Sequence, residues 1–170
     1  MASFSERMRR QWRHWMTTTA AGRAMFPPET LARVAQAISA GEQRHRGELR
    51  LIVENAMPSD AIWNDVNNRQ RAIALFAEFG VWDTEDNCGV LLYVNVAEHK
   101  VEIVADRGIN RQIDASTWQQ VCTTMTSGFA RGHVHDSLLA AVEQVNALLA
   151  THFPATGARA NELPDHPIVL

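Results

Sequence analysis

The alternation of apolar and polar positions divides the chain into segments of strand period and segments of helical period. Residues 48–54 alternate with period two, with Leu49, Leu51 and Val53 on one side, and read as a strand. From Cys88 to Val96 apolar residues fall on both faces, Val90, Leu92 and Val94 alternating with Leu91 and Tyr93. Such a segment is an interior strand covered above and below. After a short break at Ala97 to Lys100, Val101, Ile103 and Ala105 alternate with Glu102 and Val104. The shortness of that link predicts an antiparallel hairpin.

The remaining segments are helical. Phe4, Met8, Trp12 and Trp15 share one face of a helix over residues 3–18, while Arg7, Arg9, Arg10 and Arg13 lie mostly elsewhere on the wheel. Two readings are open: the helix docks on the domain through Trp12 and Trp15, or it binds a protein partner or a membrane surface. Docking is favoured, because so short a helix carries little apolar area for interfacial binding. Residues 17–26 read as a connection. Pro27-Pro28 opens a helix striped by Leu31, Val34, Ala35 and Ile38, with His45 as a solvated residue near its end and Gly47 as the stop. Pro58 cannot continue a strand ladder, so Ser59 or Asp60 is expected to cap one long helix reaching Gly80, with Trp63 and Trp82 packed at its ends. Asp114 caps a further helix carrying Trp118, Val121, Cys122 and Met125 on one face and ending at Gly128. A last helix runs from His135 or Asp136 to His152 and stops before Pro154. The organisation expected is an N-terminal amphipathic helix and connection over 1–26, a domain over 27–153 and an extended tail over 154–170. Ile168 to Leu170 could pin the end of that tail.

Strand–helix–strand units cross over right-handedly, so the strands at 48–54 and 89–96 are expected to run parallel and the strand at 101–105 to run back. That topology brings Asp106 and Arg107 to the sheet edge where Asp83, Glu85, Asp86 and Asn87 lie, with Asp114 opening the next helix there. Oxygen-rich clusters suit hard cations, Ca2+ or Mg2+. Asp83, Glu85, Asp86, Asp106 and Asp114 are therefore the candidate metal ligands, and Asn87 and Arg107 the candidate ligand-binding residues. The spacing is not an EF-hand, because the glycine and the closing glutamate of that loop are both missing. The competing reading is a set of solvated loop acids plus a helix cap at Asp114.

Composition narrows the function classes. A chain of 170 residues with 46% hydrophobic and 21% charged residues is an ordinary single globular domain. A net charge of −3 gives no reason to expect nucleic-acid binding. Cys88 and Cys122 both lie in apolar runs and read as buried free thiols, with no spacing suited to zinc. No stretch approaches the roughly 20 apolar residues of a membrane helix. Gln11, Arg13 and His14 interrupt any signal-peptide core, so a cytoplasmic address is expected. His133 and His135 diverge at a helix start, and no phosphate loop, serine elbow or zinc motif occurs.

Cys88-Gly89-Val90-Leu91-Leu92, followed by the strand that ends in Asp106-Arg107-Gly108-Ile109, resembles a TPM domain over about Pro28 to Phe153. Supporting matches are the helix ending in Glu42, the Gly47-Glu48 strand entry, and Ala74-Leu75-Phe76 before Gly80. The closest similarity is to the soluble, single-domain bacterial subgroup. The resemblance implies a three-layer α/β/α sandwich around a small mixed sheet with a central antiparallel hairpin. It also implies calcium at an acidic sheet edge, seen in some members, and acid phosphatase activity, associated with a plant thylakoid relative. Two positions depart from the family's usual pattern: Cys88 stands where asparagine is common, and Asp106 where glycine is. The expectation for function is an interaction or assembly module with a divalent-cation site at the acidic edge. The alternative is a weak metal-dependent phosphatase.

Overall fold

The strand pattern read from the sequence closes into one mixed sheet. In a computed structural model describing residues 3–17, 19–157 and 160–170, β1 (Glu48–Glu54) pairs in parallel with β2 (Gly89–Asn95), from Glu48 opposite Gly89 to Glu54 opposite Asn95. Positions 1, 2 and 18 of the expected N-terminal segment, and 158 and 159 of the tail, lie outside the described residues. β3 (Lys100–Ala105) folds back on β2 in antiparallel register, Val90 opposite Ala105. The expected pinning of the tail is a true strand: β4 (Ile168–Val169) joins the free edge of β1 in parallel, giving the order β3-β2-β1-β4.

Two helical layers cover the sheet. On one face α3 (Pro28–Glu42), α7 (Ala115–Ala130) and α8 (Val134–His152) pack on Leu49, Leu51 and Val53 of β1 and on Val90, Leu92 and Val94 of β2. On the other, α5 (Asn68–Glu78) sets Ala72 and Leu75 against Ile52, Leu91 and Tyr93, with Val81 and Leu163 of the tail completing the layer. The architecture is a three-layer α/β/α sandwich, and β2, apolar on both faces, is buried along its whole length. Cys88 and Cys122 are buried free thiols, and burial pushes the Cys122 thiol up to about 11.

A buried ionic group crosses the α5 layer. Arg71 donates from Nε and Nη2 to Glu54 at 2.6 to 3.2 Å, and the Tyr93 hydroxyl donates to Glu54 Oε2 at 2.6 Å. Burial, and then the Glu54 carboxylate beside it, push the Tyr93 hydroxyl far above the ordinary phenol range. A bidentate guanidinium is the form in which a carboxylate is stably held out of water.

Several local expectations are corrected. The connection over 17–26 contains a helix, α2 (Thr19–Met25). The expected long helix is two, α4 (Ser59–Trp63) and α5, separated at Asn64–Asn67 because Asn67 and Gln70 form a reciprocal capping box that starts α5 afresh. α7 runs past Gly128 to Ala130. His45 is not solvated; it is buried, with Nδ1 on the Gly47 carbonyl and Nε2 on Asn146 Oδ1 of α8. Trp63 and Trp82, expected to pack at the helix ends, are substantially exposed there: Trp82 donates to the Ala77 carbonyl of α5 at 3.3 Å, and Trp63 meets the Phe4 ring.

Candidate functional site

The acidic edge forms at the amino-terminal ends of the parallel strands, and backbone contacts build it. The Asp106 amide donates to the Gly89 carbonyl at 2.9 Å, and the Glu48 amide to the Cys88 carbonyl at 3.1 Å. A Cβ at Gly108 would stand 2.5 Å from the Asn87 carbonyl and 3.1 Å from that of Asp86. A Cβ at Gly89 would overlap the Val81 carbonyl. Both glycines quoted for the family resemblance thus let the 81–87 segment lie directly against the start of β2 and the end of β3. Asn87, at φ +52, makes the left-handed turn into the strand, a conformation asparagine tolerates better than most residues.

The side chains expected to form the site have separate engagements. Asp114 caps α7, accepting from Ser116 N at 2.9 Å, Thr117 N at 3.2 Å and the Ser116 hydroxyl at 2.5 Å; the serine hydroxyl and these amides hold its carboxyl below the usual range. Asp86 pairs with Arg46 Nη1 at 3.1 Å. Asp106 caps the short helix α6 (Arg107–Asn110) through Oδ1, which accepts from Arg107 N, while its buried Oδ2 has no partner among the described residues. Asp83, Glu85, Asn87 and Arg107 are exposed. The topology therefore brings the 83–87 loop and Asp106 to one edge as expected. Among the described residues, no three His, Cys, Asp or Glu side chains gather closely enough to hold a metal ion.

Beside this edge lies a cavity of about 590 Å³ between α3, the start of β1 and the tail, bordered by Glu42, His45, Arg46, Glu48 and Asn161. Glu42 accepts from Leu49 N at 3.0 Å and Glu48 from Leu163 N at 3.2 Å. Burial first, then the charges of Glu48 and Asp165, push the Glu42 carboxyl up to about 9, and burial also raises Glu48. His45 borders the same cavity, but both its ring nitrogens face fixed partners, so no free base is presented there.

The opposite edge, outside the carboxyl ends of β1 and β2, is where open α/β sheets usually take ligands. Here it is occupied by α1 (Phe4–Met16), which starts with a capping box between Ser3 and Glu6. Glu98, in the β2–β3 hairpin, is the anchor. It accepts from Arg10 Nε, from His14 Nε2 at 2.9 Å and from Asn68 Nδ2. His14 Nδ1 in turn accepts from Met57 N at 3.0 Å, which fixes the tautomer that carries its proton on Nε2. Gln11 reaches Ser59 at 3.0 Å, and Arg7 reaches the Trp63 carbonyl at 3.3 Å. Burial raises the Glu98 carboxyl, but the bonds from His14, Arg10 and Asn68 outweigh it and hold the group at about 2.

This polarity reverses the docking expectation. α1 is docked, but through its polar side, and His14 is its one buried residue among those described. Trp12 and Trp15 are 60% and 70% exposed, and Phe4, Met8 and Met16 are exposed with them. The apolar stripe faces solvent, and Trp63 extends it by a ring contact to Phe4 at 6.0 Å. Sequence reading missed Glu98 and its partners. The available signal was Arg10 and His14, four apart on one helix face together with Arg7 and Gln11.

Comparison with known proteins agrees with this architecture. The sequence profile of the TPM domain matches residues 21–148. No curated protein matches the chain by sequence. The solution structure of BA42 from the psychrophilic bacterium Bizionia argentinensis superposes with a TM-score of 0.73 at 25% identity, covering 83% of this chain and 92% of that one. The N-terminal domain of a protein from P. gingivalis shares the fold at a TM-score of 0.57 and 16% identity, covering 72% of this chain and 76% of that one. No helix among the described residues is long and apolar enough to cross a membrane. With the profile spanning most of its length, the chain belongs to the TPM domain family.

Proposed function

We propose that this TPM domain is a non-catalytic interaction module that engages its partner through the outward face of α1. The observation that carries the reading is the docking polarity of that helix: polar side chains bind it to the domain, and its large apolar side chains are left outside. The acidic edge supports the same reading, because Asp114 and Asp86 are committed to a cap and an ion pair and His45 is fully engaged. A photo-crosslinking residue at Met8 is expected to give adducts in cells, and one at the exposed Gln119 of α7 none. Equal yields at both positions would sink the reading. So would phosphatase turnover with Ca2+ or Mg2+ that Asp106→Asn abolishes, which would favour the weak metal-dependent phosphatase.

The orphaned Asp106 Oδ2 favours a second feature of the same module, a divalent-cation site. Its donor set, one carboxylate oxygen with the Asp86 and Asn87 carbonyls at the same edge, fits Ca2+ better than Mg2+, since calcium accepts carbonyl and water ligands in flexible geometry. Asp83 and Glu85 add negative charge on the same loop, and Asp114 adds it at the start of α7. When bound, such a cation supplies charge neutralisation, or polarisation of a phosphoryl oxygen beside Arg107. Calcium titration followed by amide shifts at 84–89 and 106–108 is expected to saturate in the native chain and not in Asp106→Asn. A flat titration of the native chain removes the site without touching the α1 reading.

A further inference from the structure

The exposed stripe of α1 is defined well enough to name its occupant. At 100° per residue, Phe4, Trp15, Met8, Trp12 and Met16 fall within one arc of about 120°. Arg10, His14, Arg7 and Gln11 fill the docked side. Arg9 and Arg13 lie between the two, exposed, along one margin of the stripe. The single acid of the helix, Glu6, is held at its start by the Ser3 amide at 2.6 Å.

Resting on the reading of α1 as the binding face, we infer that the partner is an anionic phospholipid bilayer, on which α1 lies flat with its aromatic stripe in the headgroup region and Arg9 and Arg13 against lipid phosphates. Three observations select a bilayer. The stripe is rich in tryptophan, which favours membrane–water interfaces. It is one convex helix face, fixed from behind by Glu98, and so it meets a plane more readily than it enters a partner's groove. Its charged margin carries Arg9 and Arg13 with one acid, Glu6, beside them; the net positive charge is complementary to anionic headgroups, whereas a second copy docking stripe to stripe would bring like net charges together. Trp63 enlarges the apolar contact from the domain side, and no helix needs to span the bilayer.

The test is co-sedimentation of the full chain with vesicles of phosphatidylcholine alone and of phosphatidylcholine containing phosphatidylglycerol, with tryptophan quenching by brominated lipid as a second readout. Binding is expected to the anionic vesicles, with quenching. Arg9→Gln/Arg13→Gln weakens it about 30-fold, at about 1 kcal/mol per arginine. Trp12→Ala/Trp15→Ala weakens it by roughly 10²-fold or more. No binding to anionic vesicles overturns the inference, and so does binding that survives the tryptophan double variant. Protein adducts from the Met8 crosslinker, or a dimer in light scattering that the double variant abolishes, would move the occupant to a protein or to a second copy while keeping α1 as the binding face. Absence of every kind of adduct at Met8 would remove the face itself.

Discussion

Replacing Glu98 by glutamine should release α1 from the domain. The carboxylate is 10% exposed and receives bonds from Arg10, His14 and Asn68. Its carboxyl stands at about 2 against an ordinary 4.5. A gap of that size corresponds to about 3 kcal/mol favouring the folded, ionised form at neutral pH. Because the folded value is depressed, this stabilisation is present above the unfolded value near 4.5 and is lost as pH falls toward 2. Glutamine keeps the shape but removes the charge, and with its oxygen kept on Arg10 and His14 its amide nitrogen must face the Asn68 Nδ2 donor. The loss is local to the helix seat, so the assay is tryptic cleavage within α1, at Arg7, Arg9, Arg10 and Arg13, under conditions where the rest of the domain stays folded. Cleavage in Glu98→Gln is expected to be faster by on the order of 10²-fold at pH 7. Hydrogen exchange of the α1 amides extends the comparison to acid pH, where the difference should shrink. A change below about 5-fold at pH 7, or one independent of pH, would refute the assignment of Glu98 as the anchor.

Gly89→Ala should destabilise the domain by about 1–3 kcal/mol or prevent folding, because the obstacle is the Val81 backbone, which has no rotamer to change; urea denaturation followed by circular dichroism measures it. Glu42→Gln should raise the urea midpoint at pH 8 and leave it nearly unchanged at pH 4. The folded carboxyl is held at about 9 by burial first, so the native state resists an ionisation that the unfolded chain undergoes above its ordinary value of 4.5.

Much of the fold was legible because its signals are local or periodic. The alternation of Leu49, Leu51 and Val53, the two-faced run from Val90 to Val94, and the short link before Val101 set the strands and their directions. From those directions followed the juxtaposition of Asp106 with the 83–87 loop. The break after α4 was also written locally, in Asn67 and Gln70, but the apolar spacing across it from Ile62 to Phe76 masked the cap. The seat of α1 was not legible. An amphipathic helix normally buries its apolar side, and what inverts this one is a carboxylate 84 residues away from His14 in the chain. The burial of His45 has the same origin, since its partner Asn146 is 101 residues distant. At the acidic edge, residue type identifies only a set of oxygen-bearing side chains, and each carboxylate's allegiance is fixed by neighbours: Ser116 and Thr117 for Asp114, and Arg46 for Asp86.

The orientation of α1 underlies both the proposed function and the lipid inference, and the stability of Trp12→Ala/Trp15→Ala tests it most directly. With both indoles facing solvent, the urea midpoint followed by far-ultraviolet circular dichroism should correspond to a loss below about 1 kcal/mol, and α1 should resist trypsin as before. A loss of about 3 kcal/mol or more per tryptophan, the cost of emptying a buried aromatic site, would show that the helix docks through its apolar face and contradict the account.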